Sequence, residues 1–185
     1  DDGEARQLVE RLVESAAVKI RHGSEYYADP ERTEVGKTPR ECVHEQGKLR
    51  LYRYTLPEGA EAPEPAADAA PVLVVYPVIN RPYILDLLPG FSFVEHLLSQ
   101  GLAVYLIDWG ETQAGDSETT LDSYIDPGIR GCVDAIRERT AAAQVSLFGH
   151  RIGGTLALMH AALHPDDVPR MLLLPTPLPP PEGAV

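Results

Sequence analysis

Basic residues are scarce in this chain of 185 residues: 16 Lys and Arg stand against 28 Asp and Glu, for a formal net charge of −12. That imbalance excludes nucleic acid as a partner and docking on an anionic membrane, because both would repel it. Cysteine is nearly absent as well. Cys42 and Cys132 are too few for a disulfide framework and too isolated for a zinc site, so no metal is expected and a reducing cytoplasm is the expected setting. No apolar run approaches the roughly 20 residues that cross a bilayer, and no signal-peptide pattern opens the chain. With 44% hydrophobic residues, what is there suffices for one globular domain or most of one.

The first region, residues 1–56, reads as a helix, a loop and an edge strand. Leu8, Val9, Leu12, Val13, Ala16, Ala17 and Ile20 recur at the spacing of one helix face. The polar stretch from Gly23 to Pro39, broken by glycine and proline, predicts a loop, and Leu49 to Tyr54 alternates like a half-exposed strand at a sheet edge. Residues 57–70, rich in Pro, Ala, Glu and Asp, read as a flexible linker.

From residue 71 to 178 the pattern becomes strand-helix-strand. Val72 to Tyr76, Ala103 to Ile107, Val145 to Phe148 and Met171 to Leu174 are continuous apolar runs of strand length. Between them lie a short helix around Phe93 to Leu98, capped by Ser92, and a second with Ile129, Cys132, Val133 and Ile136 as its inner stripe, capped by Asp126. A third runs from Gly153 to Leu163, and residues 179–185 form a tail. Such repeated units predict an α/β fold with a mainly parallel sheet and helices on both faces, whose active site lies at the carboxyl ends of the strands.

One stretch carries most of the functional signal: Phe148-Gly149-His150-Arg151-Ile152-Gly153-Gly154. It has the glycine spacing of a nucleophile elbow, in which a strand turns sharply into a helix and holds a Ser or Cys above the sheet. The apex here is Arg151. A guanidinium stays protonated and cannot attack a carbonyl, so the scaffold is present and the nucleophile is not. The backbone N–H groups of Ile152 and of the loop near Val78 are the oxyanion candidates, and they do not depend on the side chain at 151. Cys132 reads as a core thiol, Cys42 as lying upstream of the sheet, His150 as a positioning residue, and His160 and His164 as surface or capping groups. Asp108 reads as a loop-fixing carboxylate, and Ser146 is a poor nucleophile. No substrate-binding residues can be named.

Several segments together resemble the polyhydroxyalkanoate synthases, most of all the catalytic subunit of the two-subunit class III enzymes. They are Val35 to Pro39, Gly47 to Leu51, Pro71 to Tyr76, Asn80 to Tyr83, Tyr105 to Gly110, Leu121 to Ile125, the elbow, and Ala161 to Pro165 with Thr176-Pro177. The resemblance implies an α/β-hydrolase-like fold and acyl transfer from 3-hydroxyacyl-CoA to a growing polyester, with no other cofactor. It puts the family's Cys at Arg151 and its Asp and His, with the lid and the last strands, beyond Val185. The chain is therefore expected to be an incomplete, catalytically inactive synthase-like protein in the cytoplasm. The alternative is a non-catalytic binding module that associates with an active synthase, its accessory subunit or polyester granules. An almost wholly apolar strand at Met171 to Leu174 would be an exposed edge in such a chain.

Overall fold

The computed structural model describes residues 35–64, 69–111 and 113–178. The chain divides into two compact units, Asp1–Val35 and Gly36–Val185, and the architecture below is that of the second. The amphipathic helix expected at Leu8 to Ile20 and the tail at 179–185 lie outside the described residues.

Six strands of the described residues form one sheet: β1 (Arg40–Gln46), β2 (Leu49–Tyr54), β3 (Val72–Val75), β4 (Val104–Asp108), β5 (Ser146–His150) and β6 (Met171–Leu174), in the spatial order β1-β2-β4-β3-β5-β6. Strands β4, β3, β5 and β6 are parallel to one another, while β1 and β2 join as an antiparallel hairpin along β4. The parallel strands are the apolar runs of the sequence, and Leu73, Val74, Val104, Leu106 and Ile107 are fully buried, as expected for strands covered on both sides.

The strand at Leu49 to Tyr54 is not an edge. Leu49, Leu51 and Tyr54 face the core, and the edge is β1, whose sequence Arg-Glu-Cys-Val-His-Glu-Gln is polar because most of it stays exposed. Cys42 therefore lies within the sheet, on its outermost strand.

Helices α1 (Phe93–Ser99), α2 (Arg130–Thr140) and α3 (Ile152–Leu163) connect the strands. Ser92 caps α1 as predicted: its hydroxyl accepts the Glu95 N–H at 3.0 Å. Neighbouring residues of β5 show that both faces are covered. Phe148 packs on Phe93 of α1, ring centroids 4.7 Å apart, whereas a Cβ on Gly149, one residue on and facing the other way, would run into Gly154 of α3. Before α2 the chain bends at Asp126, whose extended backbone separates a short helical stretch from the helix proper. After β4 the chain makes a 3-10 turn at Ala114–Glu118, where Asp116 accepts the Gln113 N–H.

Sheet order reverses at β3, which has β4 on one side and β5 on the other. Loops leaving the carboxyl ends of adjacent strands diverge at such a point and open a crevice between them. The loop after β3 and the turn after β5 border it.

Candidate functional site

The turn after β5 has the geometry of a nucleophile elbow. Arg151 sits at φ 52°, ψ −128°, in the left-handed half of conformational space that an L side chain rarely adopts. Its backbone N–H donates to the Leu174 carbonyl of β6 at 2.9 Å, so the turn is tied to the sheet, while its side chain is exposed. Among the described residues no carboxylate or imidazole pairs with that guanidinium.

The glycines hold the turn tight. A Cβ on Gly153 would meet the backbone of Val75 and Tyr76 at the end of β3, so α3 starts directly against that strand. Nearby, the Trp109 indole N–H donates to the Tyr76 carbonyl at 2.9 Å, and its ring meets Tyr124 edge-on at 5.3 Å. This bond binds the carboxyl end of β4 to that of β3. Asp108 fixes the turn after β4 by accepting the Gly110 N–H at 3.0 Å, the loop role expected for it.

Ile152 is the first residue of α3, and Val78 lies half-buried in the loop after β3. Among the described residues, neither N–H donates a hydrogen bond.

Among the described residues, the other candidate nucleophiles lie away from the turn or are deeply buried. Cys132 is fully buried in α2, and burial pushes its thiol up to about 12, so it carries negligible thiolate. The Cys42 thiol is also raised, first by desolvation and then by Glu45, and it lies on the far edge strand. Ser146 opens β5, on the amino side of the turn. His150 ends β5 opposite Leu174, with Nδ1 buried and unbonded among the described residues; burial and then Arg151 lower its pKa.

His160 and His164 lie roughly 13 to 20 Å from the elbow along the helix axis, at 1.5 Å per residue. They cannot serve it as a base. His160 is fully buried, contrary to the surface or capping role expected for it, because α3 packs against the bend at Tyr124–Ile129. Both its ring nitrogens lack partners among the described residues, and burial lowers its pKa to about 4. Its ring lies 4.8 Å from that of His164.

His164 is bracketed by charge. Arg130 donates from Nη1 to Nδ1 at 2.8 Å, and since a guanidinium can only donate, the His164 proton sits on Nε2 and points to Asp126 at 3.0 Å. Asp126 thus spends its carboxylate on His164. Asp167 accepts from Arg137 at 2.8 Å and lies 3.4 Å from Arg130, which also pairs with Asp134 at 3.1 Å. The sequence offered one signal for this group, the four-residue spacing of His160 and His164; Asp126 is too distant in sequence to be read with them.

Strand order and the strained turn agree with one class. The family described as alpha/beta hydrolase fold matches residues 85–184, and the chain belongs to it. Solved structures agree on the fold. A lipase candidate from Sulfolobus solfataricus superposes with a TM-score of 0.55 at 18% identity, covering 74% of this chain and 43% of that one. An alpha/beta hydrolase enzyme from a lagoon-sediment metagenome gives 0.50 at 12%, covering 74% and 52%.

Within this class the relatives are specific, and the polyhydroxyalkanoate synthase resemblance holds. The poly(3-hydroxyalkanoate) polymerase subunit PhaC of Allochromatium vinosum is 41% identical over 160 residues, covering 86% of this chain and 44% of the relative. That of Haloferax mediterranei is 46% identical over 140 residues, covering 76% and 27%. That of Synechocystis is 41% identical over 145 residues, covering 78% and 37%. The chain spans less than half the length of these relatives. No described helix is long and apolar enough to cross a membrane.

Proposed function

We propose that this chain is a polyhydroxyalkanoate synthase-like protein whose elbow does not carry out acyl transfer. The synthase-like half of this reading draws support from the PhaC relatives. Arg151 at the apex of the turn carries the other half. A covalent route needs a nucleophile that attacks the thioester carbonyl, expels CoA thiolate, and later leaves as the acyl group passes on. A thiolate does both; a protonated guanidinium does neither.

The donors at Ile152 and Val78 give the site a remaining capacity. They can hold a thioester carbonyl of a 3-hydroxyacyl-CoA without turning it over. Thiol release from 3-hydroxybutyryl-CoA, followed with a chromogenic disulfide, should stay at background. Turnover that one side-chain substitution abolishes would overturn the proposal.

The second reading, a non-catalytic binding module, is favoured by the apolar surface at β6. Leu172 and Leu174 are 56% and 42% exposed on a strand paired on one side among the described residues, and Leu163 and Leu178 are exposed as well. Such a surface suits an active synthase, its accessory subunit or the polyester granule. Pull-down with the two subunits and co-sedimentation with granules test it, and failure in both removes it.

A further inference from the structure

We infer that Asp126, His160 and His164 form a binding site for a divalent transition-metal ion of the zinc type. One ligand atom from each lies within 4.8 Å of the others. The three come from two segments, the bend before α2 and the end of α3, where His160 lies in the last turn and His164 follows as the C-cap, its N–H bonded to the His160 carbonyl at 2.8 Å. Two imidazoles and a carboxylate suit zinc and neighbouring metals, and a water would complete four-coordination.

The independent observation is His160. It is fully buried, yet neither ring nitrogen has a partner among the described residues. Burying a polar group without a partner forfeits its hydration with nothing in return, so such groups are rare without cause. A metal ion would satisfy one of these nitrogens by accepting its lone pair.

Occupation requires two adjustments. Zinc bonds of about 2.0–2.1 Å bring tetrahedral ligands to about 3.3 Å from one another, so the outer pair, Asp126 and His164, must close onto buried His160. His164 must also present a lone pair on Nε2, which moves its proton to Nδ1 and displaces Arg130. Arg130 already contacts Asp134 and Asp167 and can fall back on them. Arg130 is therefore a competitor that holds His164 in the wrong tautomer for the metal, and this gives the site a signature that adventitious histidines lack.

The test is titration of the full chain, stripped with chelator, with Zn²⁺ in a calorimeter at pH 7.5, and with Co²⁺ followed by its visible bands. One site per chain is expected, with Co²⁺ bands of low-symmetry coordination. His164→Gln and Asp126→Asn, both at partly exposed positions, should each weaken Zn²⁺ at least about tenfold with unchanged circular dichroism. Arg130→Gln should tighten it, and His96→Gln on α1 should leave it unchanged. Absence of Zn²⁺ binding, binding that survives both ligand variants, or weakening by Arg130→Gln would overturn the site. The metal readouts are independent of acyl transfer, so the elbow proposal stands or falls separately.

Discussion

Helix α3 leaves a turn shaped by backbone packing at its first residue, whereas side chains from two other segments tie down its last turn. At the elbow, the positions that matter are glycines pressed against β3 and α3, while the Arg151 side chain at the apex points out to solvent. At the far end, each member of the Asp126, His160, His164 and Arg130 group is specified by its chemistry, and replacing one changes the proton on the next. Shape and side-chain chemistry thus reside in different atoms at the two ends of one helix.

The largest test of this contrast is Gly153→Val. A branched side chain there would collide with the backbone of Val75 and Tyr76, so chemical denaturation should show a loss of about 3 kcal/mol or more, or no folded protein. A Gly153→Val variant of wild-type stability would break the claim that close packing fixes the turn.

Next in size is the pH dependence at the far end. His160 has its pKa lowered to about 4 by burial, so the folded state resists protonation more than the unfolded chain, where the value is near 6.5. Its share of stability is intact above about pH 6.5 and is lost as pH falls through about 4. In chelator-treated protein, urea unfolding at stepped pH should show stability falling between about pH 6.5 and pH 4. His160→Leu should flatten that slope; an unchanged slope would assign the acid sensitivity elsewhere.

Smaller effects are expected at position 151. Arg151→Gly should raise stability by about 1 kcal/mol, since glycine relieves the positive φ and the exposed guanidinium has no described partner to lose. Least of all, Arg151→Cys should introduce a thiol that alkylates readily yet leaves CoA release at background, because the described histidines of α3 are too far along the helix to activate it. Appreciable CoA release from this variant would mean that one substitution separates the chain from activity.

The sequence revealed the parts governed by strong, local rules. Strands β3 to β6 were legible because burial on both faces leaves continuous apolar runs, and the elbow because close backbone approach demands glycine at fixed spacing. Strand β1 was hidden, since an exposed edge needs no hydrophobic pattern. Asp126 was expected to cap α2, but α2 begins at Arg130 with no side-chain cap bond, and the Asp126 carboxylate pairs instead with His164, 38 residues away, because such pairing depends on how α3 meets the bend. The burial of His160 was equally invisible: an imidazole on a helix face carries no mark of what will cover it.

Trp109 is the chain's sole tryptophan, 4% exposed, and its indole N–H is held by Tyr76, whose backbone also abuts Gly153. The molecule therefore contains its own optical probe at the crevice. A buried indole emits to the blue of a hydrated one, so any ligand, partner or substitution that loosens the β3 and β4 ends should announce itself as a red shift under excitation that selects tryptophan. Emission that stays fixed while stability falls would place the damage away from the crevice, and the two ends of α3 can be told apart in one cuvette.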